Sequence, residues 1–295
     1  MNWIDILTRL IRRTTSDLPA DVEGALRAAL AAEPAGSQAA VTLGAIAENT
    51  RLAREQGTPL CQDTGTLTFF WRVPRGTDTF ELEQAAREAV RAASAEGLLR
   101  ANTIESLTGR SVDANVAEGC PVCHFEQVSP VSDLRSFEVW LLQKGGGCEN
   151  MSAQYSLPCD IEGRRYGRDL DGVRACVLHA VCRAQGLGCA PGILGVCVGG
   201  DRAEGYLEAK RQLLRPLPDA SPERELAALE RRLLADANAL GIGPMGLGGR
   251  ATLLGVKAAA RTRLPASYFV TVAYMCWACR RRGVRVSGET VEWLG

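Results

Sequence analysis

The chain has 295 residues, with 34 Lys and Arg against 34 Asp and Glu, so its formal net charge at pH 7 is zero. That balance gives no electrostatic reason to expect nucleic acid or an anionic membrane as partner, and no run of about 18 apolar residues is present to cross a bilayer. Eleven cysteines, an odd number scattered through a chain with no secretory leader pattern, exclude a disulfide framework and point to reduced thiols in the cytoplasm.

The amino-terminal region, about residues 1–57, reads as helical. Ile4, Leu7, Leu10 and Ile11 recur at helical spacing, and Asp21 to Ala32 and Ser37 to Glu55 continue in alanine-rich, helix-forming sequence. A polar turn, Leu60-Cys61-Gln62-Asp63-Thr64-Gly65, breaks the pattern, and Thr66 to Val73 follows as a strand of β-branched and aromatic residues. Asp63 has two readings: a turn-capping carboxylate, or a functional one held beside Cys61. Helix returns from Phe80 to Leu99. Arg100-Ala101-Asn102 follows its end, where a cation suits the helix carboxyl terminus and is also able to reach a ligand.

Two strands are expected next, Pro121 to Val128 and Ser136 to Leu142, separated by a Pro/Ser/Asp turn. The triplet Gly145-Gly146-Gly147 lets the backbone approach another group closely. A long helix from Asp169 to Gln185 ends at Gly186. Cys189-Ala190-Pro191-Gly192 then forms a tight turn ahead of Ile193 to Val198, an apolar run the length of a buried strand. A further helix reaches Leu214, and Pro216 to Pro218 make a linker. Ser221-Pro222 supplies an N-cap and a first-turn proline for a helix to about Ala239. Leu253 to Ala259 and Ser267 to Trp277 are the final core strands, and Arg280-Arg281-Arg282 reads as a solvated strand end. The expected fold class is α+β, in one domain over residues 1–295 without internal repeats.

Several short motifs lead elsewhere and fail on context. Cys120-Pro-Val-Cys123-His124 has the spacing of c-type haem attachment, a chemistry that needs export. Cys120/Cys123 and Cys276/Cys279 are too far apart in the chain for a zinc ribbon, and residues three apart on a strand face opposite ways. Gly241-Ile-Gly243-Pro-Met-Gly246 fits a dinucleotide pattern, but a helix precedes it and a strand follows, the reverse of the order that aims a helix amino terminus at a pyrophosphate. His179, inside an alanine-rich helix, reads as a packing residue. Three isolated cysteines remain, Cys61, Cys189 and Cys276, each in a turn or at a strand end. Either they are packing thiols, as most free cysteines are, or they supply three thiolates to one iron-sulfur cluster and leave one iron open.

Five blocks together carry a family resemblance. They are Cys61-Gln62-Asp63-Thr64-Gly65; Lys144 to Ser152 with its glycine triplet; Cys189-Ala190-Pro191-Gly192 with Gly199-Gly200; Asn238 to Gly249; and Pro265-Ala266-Ser267 leading into Cys276-Trp277-Ala278. In this order, over about residues 50–282, they resemble the alpha part of class I, iron-sulfur fumarate hydratases and L-tartrate dehydratases.

The resemblance implies a hydro-lyase that moves water across a four-carbon dicarboxylic acid at a [4Fe-4S] cluster. Matching motif positions gives Cys61, Cys189 and Cys276 as cluster ligands. Asp63 becomes the residue that orients or protonates the departing oxygen, Gln62 a pocket residue, Arg100 the partner of a substrate carboxylate, and the Gly146 and Gly147 amides donors to another carboxylate oxygen. It also implies a separate beta chain, an αβ or (αβ)2 assembly, and no activity from this chain alone. The alternative from another class is a non-catalytic subunit that keeps a cluster for structure or sensing. Two positions depart from the family pattern as stated by the resemblance: Leu264 stands where a substrate-touching histidine is usual, and Cys148 where serine is common.

Overall fold

A computed structural model describes residues 2–128 and 136–295. In chain order its elements are α1 (Trp3–Ser16), α2 (Ala20–Ala32), α3 (Gln38–Gln56), β1 (Thr66–Pro74), α4 (Thr79–Ala95), β2 (Val122–Val128), β3 (Phe137–Lys144), α5 (Gly146–Asn150), β4 (Ala153–Ser156), β5 (Cys159–Ile161), β6 (Arg164–Tyr166), α6 (Leu170–Ala184), β7 (Gly192–Gly199), α7 (Arg202–Gln212), α8 (Arg224–Ala239), β8 (Leu253–Arg261), β9 (Phe269–Met275), β10 (Arg280–Ser287) and β11 (Thr290–Leu294). Helices and mixed sheets make this an α+β fold, as expected from the sequence. The turn expected between β2 and β3 lies outside the described residues.

The chain divides into two compact units. The first comprises the described residues of Met1–Ala20, Glu48–Gly146 and Arg280–Gly295, and the second Asp21–Ala47 and Gly147–Cys279.

In the first unit a five-stranded sheet runs β11-β10-β3-β1-β2, with β1 and β2 parallel and the other neighbours antiparallel. Opposite residues of paired strands share a face, and the register puts Val284, Val139 and Trp71 in one row and Arg282, Leu141 and Phe69 in the next. Ile6, Leu7, Leu10 and Ile11 of α1 and Leu82, Ala86, Ala89, Val90 and Ala93 of α4 bury their apolar stripes against these rows. Asp78 starts α4 by accepting the amides of Phe80 at 2.9 Å and Glu81 at 3.3 Å.

The arginine triplet is not a solvated strand end. Arg280, Arg281 and Arg282 are 1%, 2% and 8% exposed, because β10 is an interior strand between β3 and β11 rather than a terminal extension. Arg282 is anchored by Nη2, which donates to Asp17 Oδ2 at 2.9 Å and to the Leu18 carbonyl at 2.7 Å.

In the second unit a four-stranded sheet runs β4-β9-β7-β8, with β7 and β8 parallel. The β5–β6 pair is a separate hairpin. Leu194, Val196, Val256, Val270 and Val272 pack with α6 and α8. On β7, Gly195 allows α7 to lie close, since a Cβ there would stand 1.9 Å from the Ala209 carbonyl oxygen. Asp169 caps α6 through the Gly172 amide at 2.8 Å, so the helix begins at Leu170, one residue after the expected start. The helix expected after Ser221-Pro222 begins at Arg224 with Glu223 as its cap residue, and Ser221 Oγ instead accepts the Glu223 amide at 3.3 Å.

Candidate active site

The Cys61 turn is held at both ends by the first unit. The amide of Leu60 donates to the Thr15 carbonyl at 3.0 Å, Asn49 Nδ2 donates to the Leu60 carbonyl at 3.0 Å, and Asp63 Oδ1 accepts the Gly65 amide at 3.0 Å. Gly65 has φ +75°, and a Cβ on it would stand 2.7 Å from the Lys144 carbonyl, so the turn closes directly onto the end of β3. A Cβ on Gly145 would meet Asp63 Oδ2 at 2.7 Å. The glycine run thus gives its backbone to the Asp63 carboxylate, the close approach that the triplet predicts.

An open cleft of about 500 Å³ lies over this turn, lined by Gln62, Asp63, Arg100, Asn102, Cys120 and Gly146 among others. Four residues expected at the site from sequence therefore share one pocket. Arg100 is exposed, and its backbone rather than its guanidinium is tied down. Its amide donates to Thr64 Oγ1 at 3.2 Å, and its carbonyl accepts from Asn115 Nδ2 at 2.8 Å.

Asn115 organises this loop. It is 4% exposed with φ 61°, its Oδ1 accepts the amides of Asn102 at 3.0 Å and Thr103 at 3.1 Å, and its Nδ2 also donates to Ser94 Oγ at 3.0 Å. Asn115 and Thr64 escape sequence reading because their roles are loop hydrogen bonds between residues far apart in the chain; the left-handed tendency of asparagine is the one local clue. Cys120, set aside with the haem-like motif, also lines the cleft, and its Sγ lies 3.7 Å from Thr103 Oγ1.

In the second unit Cys189 caps a tight turn with φ 50° and ψ 59°. Its carbonyl accepts the Trp277 amide at 3.3 Å, and the Ala190 carbonyl accepts the Met245 amide at 2.8 Å. The glycine loop that mimics a dinucleotide motif therefore packs on the Cys189 turn. Cys148 and Cys276 form a small buried cluster with Ala278, against which Cys189 and Trp277 pack. Burial raises the Tyr274 pKa, and the neighbouring Cys276, Cys148 and Cys189 thiols add to that effect. Cys189 and Cys276 thus come together with Cys148 beside them; Gly147, in the same unit, is exposed near the start of α5.

Among the described residues no three His, Cys, Asp or Glu side chains converge as the ligands of a single metal ion. Thiolates that bind separate irons of one cluster stand further apart than the ligands of one ion, so this observation bears on mononuclear centres. The two histidines are engaged in packing: His179 Nδ1 lies 2.9 Å from the Tyr155 hydroxyl, and His124 stacks on Phe70 at 5.3 Å. No helix among the described residues is long and apolar enough to cross a membrane.

The geometry can be set beside known proteins. A family model described as fumarate hydratase (fumerase) matches residues 4–285. The chain is 48% identical over 290 residues to a provisionally named class I fumarate hydratase of Geobacillus stearothermophilus, covering 97% of this chain and 56% of that protein. It is 34% identical over 290 residues to a provisionally named L(+)-tartrate dehydratase alpha subunit of Methanocaldococcus jannaschii, covering 97% of this chain and 98% of the relative. The L(+)-tartrate dehydratase alpha subunit of Escherichia coli K12 is 28% identical over 286 residues, with 97% and 91% covered. This chain therefore spans little more than half of the first relative and nearly all of the other two.

Proposed function

We propose that this chain, which belongs to the fumarate hydratase (fumerase) family, is the alpha part of a hydro-lyase that reversibly hydrates a small dicarboxylic acid, with fumarate/malate and L-tartrate as the leading substrates. The observation that carries the reading is the first-unit cleft, in which Gln62, Asp63, Arg100 and Gly146 line one polar pocket. A forked guanidinium binds a carboxylate with two parallel hydrogen bonds, and the exposed Arg100 side chain offers that fork. Gln62 adds a hydrogen-bonding amide. Asp63, held through Gly65 and abutted by Gly145, orients the substrate hydroxyl or moves its proton, while the Gly146 and Gly147 amides face a second carboxylate oxygen.

The proposal includes a [4Fe-4S] cluster with Cys61, Cys189 and Cys276 as ligands. The donor chemistry fits: iron-sulfur clusters are held by soft thiolates, and Cys189 and Cys276 pack together in the second unit. When bound, the cluster supplies a Lewis acid that makes hydroxide a better leaving group. None of the eleven cysteines, all of them described, is in a disulfide, which suits the reducing cytoplasm we assign to the protein.

The relatives named as alpha subunits support a separate beta chain as partner, in an αβ or (αβ)2 assembly, with residues 1–295 acting as one functional region. Anaerobic purification with and without that beta chain, followed by hydration assays on fumarate and the tartrates, tests the reading. Activity is expected only from the pair. Full turnover by the chain alone sinks the two-chain assignment, and inactivity of the cluster-loaded pair on every dicarboxylate sinks the hydro-lyase assignment.

A further inference from the structure

One hydrogen-bond acceptor in the first-unit cleft has no role in the proposed function. Asn102 lines that cleft together with Gln62, Asp63, Arg100 and Gly146, and its backbone amide donates to Asn115 Oδ1 at 3.0 Å. Its side-chain Nδ2 donates to Thr64 Oγ1 at 3.1 Å, and Thr64 is only 1% exposed. The planar amide is thus pinned by its nitrogen to a buried group, which turns Oδ1 away from Thr64. Asn102 itself is exposed, and among the described residues no hydrogen bond reaches that oxygen. Gln62, also exposed, can turn either end of its amide to a ligand. Asn102 presents a fixed acceptor.

A fixed acceptor narrows what can bind it. An ionised carboxylate carries acceptors only, so the acid groups of a dicarboxylate belong to the donors of the cleft, the Arg100 guanidinium, the Gln62 amide nitrogen and the glycine amides. Asn102 Oδ1 suits a group that donates. In a four-carbon dicarboxylic acid that group is a hydroxyl. Asp63 takes the reacting hydroxyl in the proposed function, and malate has no other. A 2,3-dihydroxy acid carries one more, on the neighbouring carbon.

We propose that Asn102 is a specificity-determining residue whose Oδ1 accepts a hydrogen bond from the non-reacting hydroxyl of a 2,3-dihydroxy dicarboxylic acid. The inference rests on the hydro-lyase reading of this cleft. Clasped by Thr64 and Asn115, the Asn102 amide is oriented before substrate arrives, so little side-chain freedom is lost when the bond forms. A monohydroxy acid leaves Oδ1 to water, which an open cleft admits, so Asn102 favours the dihydroxy acid without excluding malate.

The test uses the anaerobically purified complex with its beta chain and compares specificity constants for L-tartrate and malate in wild type, Asn102→Ala and Asn102→Asp. Alanine is expected to lower the L-tartrate constant about tenfold and to leave the malate constant within about threefold of wild type. Aspartate keeps an oxygen acceptor and adds a charge that repels both dianions alike, so both constants fall while their ratio stays within about threefold of wild type. An alanine variant with the wild-type ratio overturns the proposal, because Asn102 is then only a clasp on Thr64. An aspartate variant whose ratio falls as far as that of alanine also overturns it, since the acceptor is then not what reads the substrate. So does a wild-type pair that converts malate and not L-tartrate. A wild-type pair inactive on every dicarboxylate defeats the hydro-lyase reading itself, a result distinguishable from an active pair whose ratio does not move.

Discussion

The two units handle buried charge in opposite ways. In the second unit each buried carboxylate has its partners within the unit. Glu230 accepts from Arg215 Nη1 at 2.7 Å, from the Ala258 amide at 2.7 Å and from the Ser221 amide at 3.1 Å. Glu208 accepts from Arg261 and Gln212, and Glu33 caps the amides of Arg250 at 2.6 Å and Ala251 at 3.2 Å. Among its described residues, the first unit buries cations and no carboxylate. Charge that serves only the fold is answered by the same unit. The first unit instead leaves two side-chain nitrogens of the buried Arg280 without a hydrogen bond and leaves Arg100 exposed on its cleft.

The largest expected effect tests the paired side of that contrast. Glu230→Ala removes a buried carboxylate that accepts from the half-buried Arg215 guanidinium and from two backbone amides, and it should cost about 3–5 kcal/mol of stability, read as a lower urea midpoint of the isolated chain. Arg280→Met, measured the same way without iron, should be neutral or stabilising, since it removes an uncompensated buried charge. Equal losses from the two variants would mean that the first unit pairs its charges as completely as the second, and the contrast would collapse.

Next in size is Asn115→Ala. It deletes four hydrogen bonds around the Arg100 to Thr103 loop and leaves partly buried backbone groups unpaired, at about 1–3 kcal/mol. Because the loop positions Arg100, KM for the dicarboxylate should rise more than kcat falls. A stability loss with KM unchanged would place Asn115 in the fold alone and leave Arg100 out of recognition.

These residues also show what a sequence does and does not disclose. The strand at Thr66, the Asp169 cap and the apolar run after Cys189 are legible because propensity and period act locally. The burial of Arg280 to Arg282 is not. Charge argues for solvent, and only the placement of β10 between β3 and β11, a pairing of residues more than a hundred positions apart, reverses it. The three short strands β4 to β6 carry too few residues to show a period. Of the candidate site, the turn of Cys61 to Gly65 and the glycine triplet are readable from residue type. The clasp of Asn115 on the Arg100 loop is not, since nothing in the sequence fixes which asparagine reaches which backbone.

In one respect the units should not differ. Burial first, and then the Glu83 carboxylate, pushes the Cys123 thiol of the first unit from 9.0 up to about 12. Burial first, and then Glu208, takes Cys197 of the second unit from 9.0 to about 12. For each, the folded pKa lies above the unfolded one, so the stabilisation is complete below about pH 9 and declines as pH rises from 9 towards 12. Urea midpoints should therefore fall across that window, and both thiols should resist alkylation of the folded chain at pH 8. Rapid labelling of Cys123 but not Cys197 would show that the first-unit sheet opens where the second does not.

The smallest expected change in stability, and the sharpest question about recognition, belongs to Leu264. Its side chain is 75% exposed, at the rim of an open cavity of about 510 Å³ in the second unit that is also lined by Asp201, Arg263 and Phe269. Its carbonyl accepts the Ser267 amide at 3.1 Å, so the backbone holds the turn and the side chain is spare. Leu264→His should therefore leave the unfolding midpoint within about 0.5 kcal/mol of wild type. The effect on substrate preference can be larger. An imidazole adds a donor that leucine lacks, and pairing an otherwise unsatisfied substrate oxygen is worth about 1–3 kcal/mol, roughly a factor of 5 to 150 in affinity. Specificity constants for malate, L-tartrate and citramalate measured with the assembled pair should shift toward the more oxygen-rich acid in the histidine variant. The methyl group of citramalate should lose whatever packing Leu264 gives it. If the ratios among the three acids stay fixed, Leu264 is a surface residue and recognition rests on the first-unit cleft alone, the strongest form of the division between the units.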